Sequence, residues 1–197
     1  MTISDFDEVE QALRAGQVVG VPTDTVYGLA VDPRLPGVVN KLFALKGRPI
    51  GIPLPVLVAD PAELVDLATV EPAVGRLVAR YWPGPLTLVL PRRAGIDFEL
   101  GGRPETIGVR CPSQTLLREL LRRTGPLAVT SANRHGEPPL CTAEEVRERF
   151  GVDVAHVLDG GICDDRPSTV VDASGAQVRC LRQGSLLFAE IAALAAP

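Results

Sequence analysis

The sequence predicts an α/β protein: a single domain over residues 1–197 with a twisted, open sheet of mixed parallel and antiparallel strands, flanked by helices. Two observations carry this. Apolar runs of strand length alternate with stretches whose apolar residues recur at helical spacing. Several strands also follow one another with no helix between them, which a purely parallel, doubly wound sheet would not allow.

In chain order, Asp5 with Glu8 reads as a helix start, Val9 and Leu13 give its buried stripe, and Gly16 ends it. Gln17 to Val21 is a buried strand running into the polar stretch Pro22–Gly28. Val38, Val39, Leu42 and Leu45 space a helix that ends at Lys46. Leu54 to Val58 is a strand whose Pro55 argues for an edge or a bulge. Glu63–Leu67 and Glu71–Tyr81 are helical, and Trp82-Pro83-Gly84-Pro85 stops the second before a strand at Leu86–Leu90. Arg92 to Glu105 is polar and Gly-rich, a mobile loop and candidate lid. Thr106–Arg110 alternates as a short strand, and Ser113 caps the helix of Leu116, Leu117, Leu120 and Leu121, closed by Gly125. Leu127–Val129 delivers Thr130-Ser131-Ala132-Asn133 into a loop, and Thr142 with Glu145 is a capping box for a helix to Phe150. Val154–Leu158, Thr169–Asp172 and Val178–Leu181 are strands, and Ser185 starts a C-terminal helix.

Composition narrows the function. The chain is 46% apolar and 22% charged with a net charge of -4, so no global basic field advertises nucleic-acid binding. The N-terminus lacks a basic region followed by an apolar core, and no apolar run reaches membrane-spanning length, so a cytoplasmic location is expected. The four cysteines, Cys111, Cys141, Cys163 and Cys180, form no C-x-x-C pair, and His135 and His156 stand in no metal-like spacing to them. No metal site is expected, and the thiols read as reduced packing residues. His156 reads as a strand residue, while His135, in a polar loop, could approach a ligand.

Polar chemistry collects where strands end. Thr23-Asp24-Thr25 with Tyr27 leaves one core strand, and Thr106 and Arg110 bracket another. Ser131 with Asn133 follows a third, and Ser168-Thr169 and Arg182 flank the last strands. Lys46 and Arg48 sit on either side of Gly47 at a helix end. The pair reads either as cations favoured by the helix dipole or as an anion grip, Arg supplying a planar fork and Lys a point charge. Neither G-x-G-x-x-G nor a Walker loop is present, so any nucleotide must be held by side chains.

In order along the chain, Val21-Pro22-Thr23-Asp24-Thr25-Val26-Tyr27-Gly28-Leu29, Lys46-Gly47-Arg48-Pro49, Trp82-Pro83-Gly84-Pro85-Leu86-Thr87, Ser131-Ala132-Asn133, Ser168-Thr169-Val170-Val171-Asp172 and Leu181-Arg182-Gln183-Gly184 stand as successive motifs. Together they resemble the signatures of the YrdC-like family, the L-threonylcarbamoyladenylate synthases, in the short form without an extra C-terminal domain. The resemblance implies a YrdC/RibB-like fold. It also implies a reaction: L-threonine, bicarbonate and ATP give threonylcarbamoyl-AMP and pyrophosphate. Downstream tRNA threonylcarbamoyl transferase proteins would then modify the adenosine beside the anticodon of tRNAs reading codons that start with A.

The same resemblance assigns ATP to Lys46, Arg48, Thr106, Arg110, Ser131, Asn133 and Arg182; Mg²⁺ is expected with ATP on general grounds, held mainly by phosphates and water, since no carboxylate cage is evident. It places L-threonine near Thr25, Arg110 and Ser168, with Thr23 and Tyr27 as further candidates. Lys46, Arg48 and Arg110 would be the catalytic cations. Three departures stand out: Ile52 and Leu57 where relatives often carry Asn and His, Arg134-His135-Gly136 after Ser-Ala-Asn, and Arg166-Pro167 where a Glu often precedes Ser-Thr. The alternative is an RNA-binding or ribosome-maturation module without catalysis, against which the net charge of -4 speaks. Weak RNA binding beside catalysis is a further expectation. A hydrogenase-maturation role would call for a much longer chain with zinc-finger-like segments.

Overall fold

A computed structural model describes residues 3–196. A nine-stranded sheet runs in the spatial order β7-β1-β2-β6-β3-β5-β4-β8-β9. Its strands are β1 (Val19–Val21), β2 (Gly28–Val31), β3 (Val56–Leu57), β4 (Leu86–Pro91), β5 (Thr106–Arg110), β6 (Leu127–Ser131), β7 (His156–Val157), β8 (Thr169–Asp172) and β9 (Arg179–Arg182). β1–β7, β3–β5 and β4–β8 pair parallel and the remaining neighbours antiparallel, as the consecutive strands require. The helices are α1 (Ile3–Arg14), α2 (Val38–Lys46), α3 (Leu64–Leu67), α4 (Pro72–Tyr81), α5 (Thr115–Thr124), α6 (Ala143–Phe150) and α7 (Phe188–Ala195).

The sheet separates two apolar clusters, and the asymmetry between them creates the site. On one face Leu29, Val31, Val56, Leu88, Ile107 and Val109 pack with residues of α2, α3, α4, α6 and α7. On the other, Val19, Val21, Ala30, Leu57, Leu127 and Val129 pack with Val9 and Leu13 of α1 and Leu117, Leu120 and Leu121 of α5. That second layer covers the β1-β2-β6-β3 end of the sheet. Over β5, β4, β8 and β9 the same face is left for a cavity.

Several elements differ from the sequence reading, each for a physical reason. α1 begins at Ile3, ahead of Asp5, whose side chain lies outside the described residues; acids are favoured throughout a first turn and do not mark its first residue. β2 is a strand that the reading of Pro22–Gly28 as loop did not extend to, because a four-residue run buried throughout carries no alternation. β3 is central and not an edge, since Pro55 lies just outside its two paired residues and its carbonyl accepts from Val129 N at 3.0 Å. Gln114 rather than Ser113 caps α5, its side chain accepting from Leu116 N. α7 starts at Phe188 and not at Ser185, because Ser185 N and Leu186 N are bound to Pro167 O and Thr169 Oγ1 beside β8.

The loop from Arg92 to Glu105 is tethered rather than free. Arg92 N bonds Glu105 O at 2.8 Å, Leu54 N bonds Leu100 O at 2.9 Å, and Leu100 is buried. The Thr142–Glu145 capping box and the αL Gly47 that closes α2 are as the sequence indicates.

Candidate active site

β5 explains how a short strand can serve core and site together. Ile107 and Val109 are buried among the core residues, while Thr106, Gly108 and Arg110, two apart, line the cavity on the opposite face. Thr87 and Val89 of β4, Val170 of β8, and Val129 and Ser131 of β6 extend the floor by the same alternation. Gly108 leaves room where a side chain would stand. The cavity holds about 460 Å³, within the range of small-molecule sites.

Its charge is one-sided. Arg48, Arg110 and Arg182 are in the wall, and among the described residues lining it there is no carboxylate. Arg182 sits on β9, and its Nε and Nη2 donate to Ser168 O at 3.1 and 2.9 Å, with Nη2 also reaching Ser168 Oγ at 3.0 Å. Gly184 allows this approach, since a Cβ there would collide with the backbone of Pro167 and Ser168. Arg48 is braced by its own turn, Nε to Ile52 O at 3.0 Å and Nη2 to Pro53 O at 3.3 Å. Desolvation, and next the charge of Arg182, pull the Arg48 guanidinium below its ordinary range; desolvation, and next Arg110, do the same to Arg182. The three cations crowd one another with no carboxylate facing the cavity, the one acid in contact with them being Asp24, which pairs with Arg110 from outside the wall; such a charge balance suits anionic ligands.

Arg110 is the most constrained of the three, at 5% exposure. Its Nε donates to Gly84 O at 3.0 Å, Nη1 to Thr25 Oγ1 at 3.1 Å, and Nη2 to Asp24 Oδ1 at 2.7 Å. Of five N–H donors, one on each Nη is left over, the complement of a carboxylate's two oxygens. The protons on the threonine pair can be assigned. Thr23 Oγ1 donates its only hydrogen to Val26 O at 2.6 Å, so across the 2.9 Å contact with Thr25 Oγ1 it is Thr25 that donates. Thr25 thus turns only acceptor capacity toward the cavity, which suits an ammonium or hydroxyl donor. Ser168 Oγ and Thr87 Oγ1 share a hydrogen at 3.0 Å on the opposite wall.

Not every candidate faces the cavity. Lys46 is 2% exposed and does not line it. Its Nζ donates to Ser131 O at 2.6 Å, Asn133 O at 2.6 Å and Asn133 Oδ1 at 2.7 Å, which uses all its hydrogens. The expected anion grip is therefore divided: Arg48 is in the wall, and Lys46 fastens the Ser131–Asn133 loop behind it. Asn133 and Ser131 do line the cavity, Ser131 Oγ donating to Asn133 Oδ1 at 2.7 Å. Tyr27 lines it too, but its hydroxyl is committed to Gly161 O and Gly160 N, both at 3.0 Å. Thr23 is behind Thr25 in the same wall. His135 is exposed and outside the wall. Ile52 and Leu57, the apolar departures, both line the cavity, Ile52 at its 42% exposed rim.

The sequence reading passed over Asp24 and Thr87 as site residues. Asp24 was visible as the one carboxylate inside the Thr23–Tyr27 stretch, but nothing local says that it meets Arg110. All four cysteines are free, and burial pushes the Cys111 thiol up to about 11, so it packs rather than reacts.

The fold and cavity define an α/β domain that carries, on an open mixed sheet, a cavity with Arg48, Arg110 and Arg182 in its wall. Residues 11–184 match a family model named Sua5_yciO_yrdC and described as telomere recombination. A putative threonylcarbamoyl-AMP synthase of Mycobacterium tuberculosis is 39% identical over 183 residues, 92% of this chain and 84% of that one. The threonylcarbamoyl-AMP synthase of Vibrio parahaemolyticus is 34% identical over 187 residues, 92% of this chain and all of that one. Among solved structures, P. abyssi Sua5 complexed with L-threonine superposes with a TM-score of 0.89 at 34% identity, covering 96% of this chain and 56% of that one. The chain belongs to the Sua5/YciO/YrdC family.

Proposed function

We propose that this chain is an L-threonylcarbamoyladenylate synthase, a nucleotidyltransferase that condenses L-threonine, bicarbonate and ATP to threonylcarbamoyl-AMP and pyrophosphate. The observation that carries this is the acid-free cavity with Arg48, Arg110 and Arg182 in its wall, in a chain whose similar relatives bear that name. The threonine-bound relative supports the amino-acid half of the reading.

In this reading the amine of L-threonine takes up bicarbonate with loss of water, giving a carbamate. A carbamate oxygen attacks the α-phosphorus of ATP, the α–β anhydride bond breaks, and pyrophosphate leaves. The protein's share is positioning and charge stabilisation. Arg110 takes the amino-acid carboxylate in its two remaining N–H groups, and Thr25 and Ser168 flank it. Arg48 and Arg182 meet the phosphates, with Thr106, Ser131 and Asn133 beside the nucleotide and Lys46 holding their loop. Mg²⁺ enters as part of the MgATP substrate, on phosphate oxygens and water. The product passes to tRNA threonylcarbamoyl transferase proteins in the cytoplasm.

Mass spectrometry of products after incubation with ATP, bicarbonate and a panel of amino acids tests the proposal. Threonylcarbamoyl-AMP and threonine-dependent pyrophosphate are expected. Tight, steeply salt-dependent RNA binding with no pyrophosphate release would instead favour the RNA-binding module.

A further inference from the structure

Asp24 is the anionic partner of Arg110, yet it is absent from the cavity wall. It lies between β1 and β2, while Arg110 ends β5, so the two meet across the intervening strands β6 and β3. The pair is one-sided: Oδ1 accepts from Arg110 Nη2 at 2.7 Å, whereas Oδ2 is buried with no hydrogen-bond partner. A carboxylate with one orphaned oxygen is poor value for stability, because desolvating it costs more than a single charged hydrogen bond returns. What the arrangement does achieve is orientation. Gly84 O, Thr25 Oγ1 and Asp24 Oδ1 restrain three separate nitrogens of one planar group, which fixes both its plane and its rotation. Of these only Asp24 is charged, and it counters the desolvation of the Arg110 guanidinium.

We infer that Asp24 is a positioning residue that holds the Arg110 guanidinium so that its two unpaired N–H groups engage the carboxylate of the amino-acid substrate. This rests on the reading that L-threonine's carboxylate meets Arg110. Asp24 touches neither substrate; it acts through Arg110. Its removal should therefore cost selectively the binding of ligands that carry a carboxylate, where a merely structural role would weaken every ligand alike.

The test compares wild type with Asp24→Asn, which keeps the shape and removes the charge, and with Asp24→Ser as a smaller second variant should the first fold poorly. Pyrophosphate release gives KM for L-threonine and for ATP, and calorimetry gives the affinities of L-threonine and its carboxamide. KM for L-threonine is expected to rise about tenfold or more while KM for ATP stays within about twofold, the signature of a lost substrate-specific contact. Discrimination between L-threonine and L-threoninamide should collapse. An active wild type with unchanged discrimination in both variants, or with both ligands weakened equally, overturns the inference and leaves the proposed activity standing. A wild type with no threonine-dependent pyrophosphate release overturns both.

Discussion

Lys46 and Asn133 are joined twice: the lysine Nζ donates to the asparagine backbone carbonyl at 2.6 Å and to its side-chain Oδ1 at 2.7 Å. With Ser131 O as third acceptor, one ammonium holds the turn that brings Ser131 and Asn133 into the cavity wall. Lys46→Ala takes this donor from the Ser131 and Asn133 carbonyls, Asn133 Oδ1 alone keeping Ser131 Oγ, so about 2–4 kcal/mol of stability should be lost, read from urea unfolding. Nucleotide affinity should fall in the same variant. Stability within experimental error of wild type would contradict this role.

Burial first, and the charge of Arg48 second, pull the Lys46 ammonium down to about 8 from 10.5. Because the folded value is the lower one, the cost of burying the charge weighs on the fold below about pH 8. It is lifted as pH rises from about 8 to 10.5, where only the unfolded chain still binds the proton. Wild type should therefore gain stability across that window relative to Lys46→Met, which has no proton to lose. Nucleotide affinity should move the other way, since a neutral amine has one hydrogen fewer for the same acceptors. Denaturation midpoints and KM for ATP measured on both sides of pH 8 check the two signs.

Arg48→Ala should separate from Lys46→Ala. Arg48 is braced only within its own turn, so the fold should persist while pyrophosphate release falls about 100-fold or more, as when a charge-stabilising donor is removed. Circular dichroism with steady-state kinetics decides it.

Thr25→Val removes the acceptor for Arg110 Nη1 and the hydrogen given to Thr23, whereas Thr25→Ser keeps both. KM for L-threonine should rise about tenfold in the valine variant and stay near wild type in the serine variant. An impaired serine variant beside a near-wild-type valine variant would mean that the methyl group, not the hydroxyl, matters there.

The legible parts of this molecule were those written locally. Alternation in Thr106-Ile107-Gly108-Val109-Arg110 already put Thr106 and Arg110 on one face of one strand, and the structure has both lining the cavity. The Thr142–Glu145 box and the Gly47 stop were equally local. What could not be read was long-range. That Lys46 turns inward depends on acceptors 85 and 87 residues away, and the Asp24–Arg110 pair spans 86. β2 escaped because burial on both faces erases the alternation that marks a half-exposed strand.

Arg182 lies on β9, an edge strand all of whose residues are exposed, while Arg110 ends a strand inside the sheet. The two halves of the cavity therefore belong to regions of unequal local stability. Fraying of β9 alone would carry Arg182 off Ser168 and dissolve that half of the wall, leaving the corner around Arg110 assembled. Nucleotide bound through Arg182 should then slow amide hydrogen exchange across Arg179–Arg182, at the cost of part of its binding free energy.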